Sequence, residues 1–224
     1  MKVRLSIILA LVLSIICAKA QDKSDAAEYR KVVTQRADKI VQSLGIADSS
    51  KYKQVREIIA DQYIALNNIH DTRNAEVKKV KENLKDNKEQ ASAEVKKLEA
   101  AADESLSKLH KQYLENLSKQ LSKKQIEQVK NGMTYNVLPN TYKAYQEMLP
   151  NLKKKEKKQI LAWLTEAREH AMDAESSEKK HAWFGKYKGR INNYLSGHGI
   201  DMNKAGKEWQ ERIRAANAQS KSVN

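Results

Sequence analysis

Residues 163–195 gather the rarest side chains of this sequence into one stretch. Two of the three tryptophans (Trp163, Trp183), the only phenylalanine (Phe184) and two of the five histidines (His170, His181) fall there, with Tyr187, Arg190, Asn192, Asn193 and Tyr194. At helical spacing Trp183, Lys186, Arg190 and Asn193 run along one face. An indole can stack on the apolar face of a sugar ring, a guanidinium can hold a carboxylate or vicinal hydroxyls, and an asparagine amide both donates and accepts. The set suits carbohydrate, including an acidic glycan. His181, His170, Glu166, Glu169, Asp173 and Tyr135 complete the candidate binding residues. The same spacing also fits Trp183 packed between helices, with Lys186 and Arg190 paired to Glu166, Glu169 or Asp173.

Catalysis and metal binding find less support. Glu166, Glu169 and Asp173 lie within two helical turns, and acid–base chemistry would need one of them raised in pKa by burial and another left ionised. That spacing is also the spacing of a solvated acidic face. Glu178-Lys-Lys-His181 has the i, i+3 arrangement of carboxylate-bridged di-metal bundles, but no second Glu-x-x-His accompanies it. His-Glu-x-x-His is absent. His70 and His198 read as capping or surface residues. No catalytic residue, metal ligand or cofactor site is assigned.

Two prolines, seven glycines and abundant Ala, Lys, Glu and Leu predict an almost wholly helical chain. Lys2 and Arg4, the apolar run Leu5 to Ile16 and Ala18-Lys19-Ala20 form a signal-peptide pattern over residues 1–20, with cleavage after Ala20. The apolar run is too short to span a bilayer. Lipid attachment at Cys17 is disfavoured, since Ile16 stands where a small residue is wanted. Cleavage removes the only cysteine, so a periplasmic or secreted chain would fold without a disulfide. It would carry 39 basic against 28 acidic residues, a net +11 that favours anionic partners. Export and the lack of a nucleic-acid-binding motif argue against nucleic acid. Lysine spread over solvated helix faces would give the same charge with no partner at all.

The apolar residues recur at steps of three and four. A first helix runs from Ala26 to Leu44 and stops at Gly45, and Asp48 or Ser49 caps a second. Between Lys78 and Glu104 the pattern thins to Val80, Leu84, Val95, Leu98 and Ala102 among many charges. That narrow seam predicts a charged helical hairpin arm, roughly residues 70–115, turning near Asp86 to Ser92 and available to a protein partner. One long helix is the alternative. Ser122-x-x-Gln125 forms a capping box, Pro139 opens a short helix that Pro150 follows, and Ser176-Ser177 breaks the chain between the last two strong helices. Residues 21–224 read as a single all-α domain, a multi-helix bundle with an arm.

Two resemblances bear on function. Leu121-Ser-Lys-Lys-Gln and Leu152-Lys-Lys-Lys-Glu are similar to the L-T-x-x-Q helix starts of small periplasmic stress chaperones. A longer set comprises Gly132-Met-Thr-Tyr135, Tyr142-Lys-Ala-Tyr145, Met148-Leu-Pro-Asn-Leu152, Glu166-Ala-Arg-Glu-His-Ala-Met-Asp173 and Lys180-His-Ala-Trp-Phe-Gly-Lys-Tyr-Lys-Gly-Arg-Ile-Asn-Asn-Tyr-Leu195, extended by Trp209 and Arg212. This signature, over 132–213, resembles the exported bacterial family called domain of unknown function 3826. The resemblance implies export, an all-helical fold and a connection with sugars, and it supplies no catalytic residues. The expected role is non-catalytic carbohydrate binding. A protein-binding chaperone and a glycan-active enzyme using the clustered Glu, His and Asp are the alternatives.

Overall fold

The computed structural model describes residues 25–222. The expected signal peptide, with Cys17 and Ala20, lies outside the described residues. Described are eight helices and no strand: α1 (25–42), α2 (Ser49–Asn83), α3 (Lys88–Ser118), α4 (Lys123–Met133), α5 (Val137–Met148), α6 (Lys154–Met172), α7 (Ser177–Gly197) and α8 (Met202–Ser222). The all-α class is therefore the one the composition predicts. No helix among the described residues is long and apolar enough to cross a membrane. The helices group into two compact units that divide between Leu121 and Ser122, within the span that the sequence presents as one domain.

In the first unit, α1 lies antiparallel along the N-terminal half of α2. Val33, Ala37, Ile40 and Val41 of α1 are buried, as are Val55, Ile59, Ala60 and Leu66 of α2. Arg30 bonds Glu57 at 2.8 Å and Asp61 at 3.0 Å, while the Tyr52 hydroxyl donates to Asp38 at 2.8 Å. Gly45 has φ +65°, the left-handed conformation that ends α1, and Asp48 caps α2 by accepting from the Lys51 N–H. Past His70, α2 pairs with α3, and no residue from 71 to 101 is buried. This is the charged hairpin that the thin apolar seam predicts. Its turn spans 84–87, a few residues before the expected one, because the Asn87 side chain caps α3 by accepting from the Gln90 N–H at 3.1 Å.

The second unit holds the residues of interest. Ser122 and Gln125 form the expected capping box at the start of α4. The unit's core joins Leu138, Tyr145, Ile160, Leu164, Ala167, Ala171, Phe184, Tyr187, Ile191 and Leu195. Alanines at 167 and 171 let α6 and α7 approach closely. Pro139 sits within the first turn of α5, where its missing N–H costs nothing. The Tyr145 hydroxyl donates to Asn192 Oδ1 at 2.7 Å, tying α5 to α7. Arg212 of α8 donates to the carbonyls of Glu147 and Met148 at 3.0 and 3.1 Å, satisfying the C-terminal end of α5.

Candidate functional site: an aromatic and cationic row on α6 and α7

Ser176 breaks the chain between α6 and α7 and caps α7 by accepting from the Lys179 N–H at 3.1 Å. The helices then run antiparallel, which places Trp163 beside Tyr194, Glu166 beside Arg190, and His170 beside Trp183. Lys180 secures the turn. It is buried, and its ammonium donates at 2.9 Å to the carbonyls of both Ala171 and Met172. A cation at a helix C-terminus is favourably placed against the dipole and satisfies carbonyls left without intrahelical partners.

The rings form separate clusters, and the first lies off this seam, since His181 stands two residues before Trp183 and about 160° around α7 from it. Tyr135 stacks on His181 with centroids 5.5 Å apart and planes 11° apart. His170 stacks on Trp183 at 4.3 Å and 14°, and the Lys186 ammonium lies 4.9 Å from the indole centroid. The Arg190 guanidinium lies 4.6 Å from the Trp163 ring, which meets Tyr194 edge-on at 5.2 Å. Tyr194 in turn contacts His198 at 4.3 Å. Trp163, Trp183 and Tyr194 are half-buried, whereas His170, His181, Lys186, Arg190, Asn193 and His198 are exposed. The row thus has its indoles rooted in the core edge and its cations and imidazoles facing water.

Both indoles already carry a cation. The pair Arg190–Glu166 is 3.8 Å apart and exposed, so it contributes little. An exposed cation over an indole is worth about 0.5–1 kcal/mol. Lys186 and Arg190 are therefore held loosely, and an anionic group arriving above the row can draw either cation to itself and uncover the ring. Beneath them, burial and then a hydrogen bond to Glu166 push the Tyr187 hydroxyl up to about 12. It stays protonated at neutral pH and holds the Glu166 carboxylate in place.

The candidate residues do not all converge. Glu169 turns toward α4, where it bonds Lys130 at 2.8 Å and Arg168 at 3.0 Å. Arg168 is 1 % exposed and also bonds Asn131 Oδ1 at 2.9 Å and Glu127 at 2.8 Å. Glu169 thus belongs to the network that fixes α6 on α4. Asp173 is the C-cap residue of α6, at the turn. Asn193 is exposed one turn along α7 from Arg190. Three members of the row were not among the sequence candidates: Trp163, Tyr194 and His198. Their signal is the spacing, since Trp163, Glu166 and His170 fall at steps of three and four, and Arg190, Tyr194 and His198 at steps of four. Among the described residues, no group of three or more His, Cys, Asp or Glu is placed to hold a metal ion.

Tyr135 reaches His181, away from the row, from the loop between α4 and α5, and its backbone is unusual. The Asn136 N–H donates to the Asn131 carbonyl at 2.8 Å and the Tyr135 N–H to that of Gly132 at 3.3 Å. Those two bonds make a Schellman ending of α4, whose left-handed position normally belongs to glycine. Here Tyr135 holds it at φ 57°, followed by Asn136 at φ 55°. For a residue with a side chain that conformation costs roughly 1–2 kcal/mol.

The signature residues of this row lie within a match to the family model described as "Protein of unknown function (DUF3826)", which covers residues 30–215. The chain belongs to that family. No curated protein matches it. The matched span takes in all of α2 to α7, so the two compact units, not the row by itself, are what the DUF3826 model describes.

Proposed function

We propose that this DUF3826 protein is an exported, non-catalytic carbohydrate-binding protein, periplasmic or secreted, that takes an acidic glycan on the α6–α7 row. The observation that carries the reading is the row itself: two half-buried indoles, each with an exposed cation over it, flanked by exposed histidines. A sugar needs an apolar ring face and directional polar groups together; the polar groups stand exposed on this seam, and drawing off Lys186 or Arg190 uncovers an indole face. The charge supports an anionic ligand. Residues 122–224 contain 20 basic and 11 acidic side chains, so nearly all of the excess over the mature sequence lies in the unit that carries the row.

The alternatives gain less. A protein-binding chaperone needs a broad apolar face, whereas the large hydrophobic residues exposed among the described ones are Tyr135, Leu161 and Ile213. An enzyme using the acidic cluster would have to free Glu169 from Arg168 and Lys130 and Glu166 from Tyr187 and Arg190.

The test is a glycan array that includes uronic-acid polymers, probed with the chain from Gln21 onward at low and physiological salt. Binding that survives physiological salt and is lost in Trp183→Ala is expected. Trp183 is half-buried, so truncation should cost about 2 kcal/mol of stability, less than a fully buried indole, and leave the fold intact. Silence across the array, or binding removed by salt in the unaltered chain, refutes the reading.

A further inference from the structure

Lys153, Lys154, Lys155, Lys157 and Lys158 crowd the start of α6. The acid among them is turned into the fold: Glu156 is 7 % exposed, and its carboxylate accepts from the Lys153 N–H at 2.7 Å. Among the described residues no acid forms an ion pair with any of the five. Cations at a helix N-terminus oppose its dipole, and Lys154 and Lys158, one turn apart, repel each other. Folding gains nothing from this charge. At 100° per residue, Lys154, Lys155, Lys157 and Lys158 splay over about 160° of the helix circumference. They make a crown around the start of α6 and not a stripe along it.

The last helix brings an apolar edge to the same end of the unit. Met202, Ala205, Trp209, Ile213 and Ala216 fall at steps of three and four on one face of α8. That face leaves the core as it proceeds: Ala205 is buried, Trp209 half-buried, Ile213 42 % exposed, and Ala216 exposed beyond it. Arg212 fixes this overhang in place through its bonds to the Glu147 and Met148 carbonyls, at the end of α5. From Met148 the chain reaches Lys153 within a span of at most about 18 Å, so crown and overhang are neighbours. Arg214, exposed beside Ile213, adds a further cation.

We propose that this end of the unit docks on the surface of an anionic phospholipid bilayer. Cations alone would suit any polyanion, but a polar polymer has no use for an apolar face that overhangs the core. A bilayer surface takes both, since lysines meet the lipid phosphates while Ile213 and the edge of Trp209 enter the boundary between headgroups and acyl chains. The docking surface is separate from the indole row and does not depend on the carbohydrate reading.

The experiment sediments the chain from Gln21 onward with vesicles of phosphatidylcholine containing rising proportions of phosphatidylglycerol. Starting at Gln21 keeps the apolar run Leu5 to Ile16 from inserting by itself. Binding should rise with the anionic lipid, vanish on phosphatidylcholine alone and weaken with salt. Each lysine near the surface is worth about fivefold, so Lys154→Gln, Lys155→Gln and Lys158→Gln together should weaken binding about a hundredfold. The same triple change should raise the melting temperature slightly, because it removes repulsion and an opposed dipole. Ile213→Asn should weaken binding about fivefold. A charge-matched control on the arm, Lys81→Gln with Lys85→Gln and Lys88→Gln, should bind as the parent does. Failure to bind phosphatidylglycerol vesicles at low salt overturns the proposal, and so does equal weakening by the two triple variants, which would mean general basicity. A lower melting temperature in the α6 variant would assign the lysines to the fold. Binding indifferent to Ile213→Asn, or oligogalacturonide binding that needs the α6 lysines while vesicles do not bind, would make the surface a site for soluble polyanions and refute bilayer docking.

Discussion

Replacing Arg168 by methionine tests the network that orients α6. The guanidinium is 1 % exposed and bonds Asn131 at 2.9 Å, Glu127 at 2.8 Å and Glu169 at 3.0 Å. A hydrogen bond to a charged group contributes about 1.5–3 kcal/mol, but the three cannot simply be added. The Glu127 side chain is 54 % exposed and regains water when its partner leaves. Glu169 is 31 % exposed and keeps Lys130 at 2.8 Å. Methionine also fills most of the volume and removes the cost of burying a cation. The net loss should be about 2–3 kcal/mol, with Glu127→Gln, at the exposed end of the same network, below about 1 kcal/mol. All three tryptophans lie in residues 122–224, so urea unfolding followed by tryptophan fluorescence reports on this unit selectively. A loss under about 0.5 kcal/mol for Arg168→Met would refute the argument, since desolvation would then cancel the bonds completely.

Three further outcomes follow from the same structure. Burial pushes the Tyr145 hydroxyl up to about 12, and burial with the Glu166 bond does the same for Tyr187. Both pKa values lie above the ordinary 10, so their contribution to stability is intact below about pH 10 and is lost as pH rises from about 10 toward about 12. Urea midpoints across that range should fall, and Tyr145→Phe should flatten the decline; an unchanged slope in the variant would contradict the assignment. Arg190→Gln should cost no more than about 1 kcal/mol of stability, because its ion pair and its contact with Trp163 are exposed, while lowering affinity for an acidic oligosaccharide about tenfold or more. Equal binding by variant and parent, or a stability loss of several kcal/mol, would remove Arg190 from the site. Lys180→Met should destabilise by about 1–3 kcal/mol, since two helix-end carbonyls lose a buried charged donor; fluorescence-detected unfolding indistinguishable from the parent would show that these carbonyls find other partners.

Local chemistry made much of this protein legible from its sequence. Capping depends on residues three apart, so Asp48, Ser122 with Gln125, and Ser176 mark helix starts directly. Core stripes follow from steps of three and four: of Phe184, Tyr187, Ile191, Tyr194 and Leu195, which that spacing puts on one stripe, all are buried but Tyr194, which is half-buried. The face shared by Trp183, Lys186 and Arg190 was readable in the same way.

What tertiary structure decided depends on which helix lies opposite. Glu166 and Glu169 are close in sequence, yet one faces Arg190 of α7 and the other Lys130 of α4, because a shift of three residues turns a side chain by 60° around a helix that is packed on two sides. Trp163 joined the row because antiparallel packing set Arg190 and Tyr194 beside it. Arg168 has an unremarkable place in its sequence and became buried only when α4 closed over it. The division at Leu121 carries no local mark beyond a helix cap. Most telling is Tyr135, whose residue type argues against a left-handed turn and whose conformation is imposed by backbone bonds to Asn131 and Gly132 that propensity does not contain.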